Sequence, residues 1–167
     1  DITEEVYYEI IRKKTAVLLA ACASIGAGAT GVSEEIAEHM WKFGEQVGMA
    51  FQIKDDIFDL QTNGATGKPS GNDLKEKKMT LPLIYALQNA EPSEKRRIIK
   101  IVKSKNKTAA NINEVVEFIT KKEGMEYAGK KMNEFKDCAI KMLDRFPDNP
   151  AKKSLISLVH YTTTRDK

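Results

Sequence analysis

Apolar positions along the chain recur at the three-to-four-residue spacing of helices, and no segment bounded by turn residues alternates with period two. The pattern predicts an all-helical chain. Thr3 is placed to cap a first helix running to about Thr30, with Glu4 and Glu5 in its first turn, where the positive end of the helix dipole favours them. Gly26, Gly28 and Gly31 weaken its last turns. Ser33 caps a second helix that continues to about Gln61. Asn63 to Gly71, with Gly64, Gly67, Pro69 and Gly71, reads as a loop. A third helix is expected over 74–89, kinked or broken at Pro82. Further helices follow over 92–103, from Asn111 or Asn113 to Gly124, and over 125–146. Asn149-Pro150 is a cap followed by a first-turn proline, opening a last helix to about Thr163.

The length of 167 residues, with 41% hydrophobic and 31% charged side chains, is that of one globular domain over 1–167. A balance of 27 basic to 24 acidic residues, interleaved along the chain, argues against a nucleic-acid partner. The longest uncharged run, Ala16 to Val32, is rich in alanine and glycine. It is shorter and less apolar than the roughly 20 residues a membrane span needs, so it reads as a buried helix. Cys22 and Cys138 cannot form a disulfide framework; both are expected to be small core residues of a cytoplasmic protein.

The informative chemistry lies in Phe51-Gln52-Ile53-Lys54-Asp55-Asp56-Ile57-Phe58-Asp59. At about 100° per residue, Asp55, Asp59, Gln52 and Asp56 fall within one arc of about 100°. Ile53, Ile57 and Leu60 flank that arc on one side, and Phe51 and Phe58 on the other. Three carboxylates on one face repel one another and call for a cation. Oxygen donors without histidine or thiolate favour magnesium, manganese or calcium. A solvated acidic face is the plain alternative. The loop Gly67-Lys68-Pro69-Ser70-Gly71-Asn72-Asp73 follows closely, and its amides and lysine suit an anionic phosphate. It matches neither a Walker A loop nor a dinucleotide-binding turn.

At these residues the chain resembles the trans-type polyprenyl diphosphate synthases. Phe51-Gln52-x-x-Asp55-Asp56-x-x-Asp59 is similar to the family's second aspartate-rich motif. Gly67-Lys68-x-x-Gly71-x-Asp73-Leu74 resembles the loop that follows it. Thr80-Leu81-Pro82-Leu83-Ile84-x-Ala86-Leu87 is similar to its Thr-Leu-Pro helix, and Lys14-Thr15-Ala16-x-Leu18 to its Lys-Thr helix. Among subgroups the long-chain synthases that make quinone side chains are the most similar.

The resemblance implies an all-α helical bundle of the isoprenoid (terpenoid) synthase type and a Mg2+-dependent condensation of isopentenyl diphosphate with an allylic diphosphate. It makes Asp55, Asp56 and Asp59 metal ligands, some through water. Lys14 and Lys68 would bind the allylic diphosphate, Thr15 and Gln52 would line the reacting carbons, and Asp73 would lie in the shell behind them. It also implies a homodimer.

Two departures stand out. Glu76-Lys77-Lys78 has lysine where the family has glycine, and the family's first aspartate-rich motif and its basic isopentenyl-diphosphate segment are absent. The chain is therefore expected to be the C-terminal portion of a synthase about twice as long, inactive alone. A non-catalytic subunit of a heteromeric synthase and a simple divalent-metal-binding helical module are the competing readings.

Overall fold

The structure, a computed structural model, describes residues 2–61 and 71–164. Among these every regular element is helical: α1 (Glu4–Ile11), a π-helical turn (Arg12–Ala16), α2 (Val17–Gly28), α3 (Glu34–Leu60), α4 (Asn72–Lys75), α5 (Leu81–Gln88), α6 (Pro92–Lys103), α7 (Ala109–Lys121), α8 (Gly124–Met142), a 3-10 turn (Leu143–Arg145) and α9 (Pro150–Thr164). No described helix is long and apolar enough to cross a membrane.

The caps explain most boundaries. The Ser33 hydroxyl accepts the Ile36 amide ahead of α3, and Asn149 Oδ1 accepts the Lys152 amide at 2.8 Å to open α9. The helix expected from Asn111 or Asn113 starts earlier, at Ala109. Thr108 is its cap, and Asn111 is the third helical residue, closing a reciprocal capping box. The single helix expected over 74–89 is instead two. α4 ends after one turn, and Pro82 sits in the first turn of α5, where its missing N–H costs nothing. The first helix is interrupted by the π-helical turn, which local propensity does not signal.

The chain divides into two compact units: residues 1–7 with 55–129, and residues 8–54 with 130–167. The core of the first unit is built of branched aliphatics from α5, α6 and α7, among them Leu83, Leu87, Ile98, Val102, Ile112, Val115 and Ile119, joined by Leu60, Leu74 and Phe118. Each such side chain stabilises by roughly 1.5–3 kcal/mol when fully buried. α5 is buried almost all round, only Tyr85 and Gln88 reaching solvent. Gly124 lets the start of α8 abut the Pro82 carbonyl, against which a Cβ would collide.

The core of the second unit is smaller: Phe43, Val47, Ala139, Leu143 and Val159. Here α2 and α3 approach backbone to backbone. A Cβ at Gly44 would meet the Leu19 carbonyl and Ala20 Cα, and one at Gly48 would meet Ala16. The fully buried residues of the 12–28 segment are Ala16 and Ala20, and Leu19 and Ala23 pack partly buried against the core. Cys22 lies about 200° around from Ala20 and is exposed, as is Cys138, contrary to the expectation of two core cysteines.

Candidate active site

The aspartate segment lies in the last turns of α3. Its apolar flank is buried as expected, with Ile53, Ile57 and Leu60 at most 7% exposed. Asp56 is the carboxylate nearest that flank, and it is 5% exposed. A buried carboxylate is costly without a donor, and the Tyr7 hydroxyl of α1 supplies one, donating to Asp56 Oδ2 at 2.7 Å. Asp55 and Asp59 lie at the other edge of the arc and are half-buried.

Asp59 is bonded by the backbone of the segment that begins at Gly71. The Asn72 amide donates to Asp59 Oδ1 at 3.1 Å and the Asp73 amide to Oδ2 at 2.8 Å. The Gly71 amide donates to the Asp59 carbonyl. Gly71 makes this possible with a φ of +96° and a Cβ position only 2.6 Å from Ile112 Cγ2. Its backbone conformation and its surroundings both exclude a side chain. The Asp73 carboxylate turns to Lys78, whose Nζ lies 2.8 Å from Asp73 Oδ1 and 2.8 Å from Glu76 Oε2. The Asp73 hydrogen bond, then that of Glu76, holds the lysine above its ordinary pKa.

Lys77 occupies the left-handed region at φ +61°. The Lys77 amide donates to the Leu74 carbonyl and the Lys78 amide to the Asp73 carbonyl, which is the Schellman closure of a helix C-terminus. The position where the resembled family carries glycine is thus one whose geometry favours glycine.

In the second unit, Thr15 Oγ1 donates to Gln52 Oε1 at 2.9 Å. The π-helical turn sets this geometry, because an added residue per turn rotates Thr15 relative to the regular helix. Before it, Glu9 is held down to about 2 by hydrogen bonds from Arg12 and then Lys13. Lys14 is exposed. Lys68 lies outside the described residues.

The structure therefore brings Thr15 to Gln52, and Asp59 to the backbone of Asn72 and Asp73. Among the described residues no three carboxylate, histidine or cysteine side chains converge as a metal-binding group. The donor set nonetheless fits a hard divalent ion. Asp55 and Asp59 are half-buried oxygen donors one turn apart, and magnesium characteristically takes one or two carboxylates and completes its shell with water and phosphate.

Tyr7 and the glycines at 44 and 48 escaped the sequence reading. Tyr7 reads as a core aromatic one turn before Ile11, and its partner lies 49 residues away. A glycine inside a helix does hint at close packing, which is the signal Gly44 and Gly48 offered.

A model of the polyprenyl synthetase family matches residues 1–119. Component 2 of heptaprenyl diphosphate synthase from Geobacillus stearothermophilus is 35% identical over 161 residues, covering 96% of this chain and 49% of that protein. The crystal structure of geranylgeranyl pyrophosphate synthase from Bacteroides thetaiotaomicron superposes with a TM-score of 0.90 at 39% identity, over 98% of this chain and 54% of that one. A polyprenyl synthase from Caulobacter crescentus CB15, complexed with calcium and isoprenyl diphosphate, superposes with a TM-score of 0.90 at 30% identity, over 100% of this chain and 51% of that one. The all-α fold is that of these synthases. The chain spans about half the length of the curated relatives it matches.

Proposed function

The chain belongs to the polyprenyl synthetase family, and from that premise we propose that the protein is a prenyltransferase joining isopentenyl diphosphate to an allylic diphosphate. The observation that carries the reading is the α3 aspartate face, half-buried and fixed at Asp59 by two backbone amides.

Asp55, Asp56 and Asp59 are the carboxylates that would hold a magnesium ion, some of them through water; the Tyr7 hydroxyl orients Asp56, and the Asn72 and Asp73 amides orient Asp59. The bound magnesium supplies electrostatic stabilisation of the diphosphate leaving group. Lys14 and Lys68 bind the same diphosphate and offset its charge. The allylic C–O bond breaks with its electron pair passing to diphosphate. The isopentenyl double bond then forms the new C–C bond, and the proton lost goes to the released diphosphate. Thr15 commits its hydroxyl hydrogen to Gln52, which leaves its oxygen lone pairs as a negative dipole that would favour a cation.

The test is Asp55→Ala in the full-length protein. It should lower turnover by about a hundredfold or more, since changing even the groups behind metal ligands costs roughly 10–100-fold, and leave the melting temperature within a few degrees. Activity within a few-fold of wild type overturns the metal assignment. Calorimetry with magnesium, with and without an allylic bisphosphonate, separates this from a simple metal module, whose metal affinity is indifferent to the bisphosphonate. We also propose that the 167 residues alone convert no isopentenyl diphosphate to lipid-extractable product. The partner is a second copy; a different chain in the purified assembly, as the component naming of the Geobacillus relative allows, is the alternative its mass reveals.

A further inference from the structure

The inference concerns Tyr7 and rests on the reading of the α3 aspartates as a magnesium-diphosphate site. Tyr7 and Asp56 are 3% and 5% exposed. Their 2.7 Å contact joins residues 49 apart in the chain. A phenol donating to a buried carboxylate makes a short charge-assisted bond. It fixes the Asp56 side-chain torsions and thereby the direction of the second carboxylate oxygen.

Tyr7 is itself fixed from behind. Glu4, one turn earlier on α1, receives the Tyr127 hydroxyl of α8, with its two oxygens at 2.7 and 2.9 Å. The Tyr127 ring stacks on Tyr85 of α5, centroids 3.9 Å apart and planes within 11°. The first two turns of α1 are thus tied to α8 through Glu4 and to α3 through Tyr7. A tie needed only for packing would be served by apolar side chains. This one ends on a carboxylate adjacent to Asp55 and three residues before Asp59.

We propose that Tyr7 is a positioning residue for the metal site, holding Asp56 in the orientation from which it serves the ion. Groups behind metal ligands commonly matter by 10–100-fold in affinity. Tyr7→Phe removes one hydroxyl and keeps the ring that fills the core.

The test is made in the full-length protein with magnesium and methylenebisphosphonate as probes. The magnesium concentration that half-saturates bisphosphonate binding, read by calorimetry, should rise about tenfold in Tyr7→Phe. In the condensation assay the magnesium midpoint should shift likewise while the rate at saturating magnesium stays near wild type. A purely structural role would lower the rate at every magnesium concentration and leave the midpoint in place. In an Asp56→Ala background the Tyr7→Phe substitution should add nothing.

A Tyr7→Phe midpoint within twofold of wild type overturns the proposal. So does an undiminished shift in the Asp56→Ala background. Should Tyr7→Phe fail to fold, Tyr127→Phe carries the test, since it keeps the ring and removes the hydroxyl that anchors Glu4. It should raise the midpoint by a smaller amount, and an unchanged midpoint overturns the proposal. Wild-type protein that binds no bisphosphonate with magnesium overturns the metal-site reading itself, and this inference with it.

Discussion

The two polar groups of α3 are held in place by opposite means. In the first unit the carboxylates are held by donors: Tyr7 on Asp56, and the Asn72 and Asp73 amides on Asp59. In the second unit the Thr15–Gln52 pair is held by missing side chains, since Gly44 and Gly48 bring α3 against the backbone of Leu19, Ala20 and Ala16. Charges need partners, because burying one unpaired costs several kcal/mol. A neutral hydroxyl–amide pair needs only a short reach, which close helix packing supplies. The difference leaves a trace in packing. The small-residue face of α2 borders two cavities of about 400 and 300 Å³, and Leu18 and Ile25 are 67% and 71% exposed.

The most damaging way to break the comparison is at the glycine seam. Gly48→Ala places a methyl group inside contact distance of Ala16 Cα. The obstacle is backbone, so one helix must move. The expected cost is roughly 2–3 kcal/mol, at the upper end for overpacking, with loss of the Thr15–Gln52 contact. Gly26→Ala on α2 is the control: no atom lies within 4 Å of its Cβ position. It should stabilise by about 0.5–1 kcal/mol through helix propensity. Denaturant titration of both variants decides it, and equal effects would mean that the seam is not tight.

Gly71→Ala tests the donor side and should cost about 2 kcal/mol. A left-handed φ contributes about 1–2 kcal/mol for a non-glycine residue, and the Ile112 methyl must give way as well. The distinguishing readout is functional. Because Gly71 sets the amides that clamp Asp59, the magnesium requirement for bisphosphonate binding should rise too. Gly48→Ala should leave that requirement unchanged once the folded fraction is accounted for.

Much of this arrangement was legible in the sequence, and the parts that were not share a cause. Ser33, Thr3 and the Asn149-Pro150 pair announce helix starts through bonds made within three residues. The 100° arc announces that Asp55, Asp59 and Asp56 share a face beside Ile53 and Ile57, because one helix carries them all. That Asp56 is the buried member follows from its place at the edge of the arc. What no local rule conveys is the Tyr7 hydroxyl arriving from 49 residues away, or the π-helical turn that rotates Thr15. Both are set by packing against α3. The break between α4 and α5 was misplaced because Pro82 can mark either a kink or a first turn, and only the Schellman closure at Lys77 and Lys78 decides.

Lys77→Gly is the smallest expected effect, and it runs the other way. Lys77 ends α4 at φ +61°, a conformation that disfavours a Cβ by about 1–2 kcal/mol. Glycine removes that penalty and returns part of it through the larger entropy of the unfolded chain, leaving a net gain of roughly 0.5–1 kcal/mol. Charge contributes separately. Burial, and after it the charge of Lys77, lowers the pKa of Lys107. Lys77→Ala therefore completes the test, since it removes the charge and keeps the Cβ. If the backbone dominates, Gly stabilises and Ala does not, and melting temperatures read the sign directly. If both stabilise equally, the like charge on Lys107 is the cause. In that case the backbone at this turn is unstrained, and Gly71 remains the conformational constraint behind the Asp59 clamp.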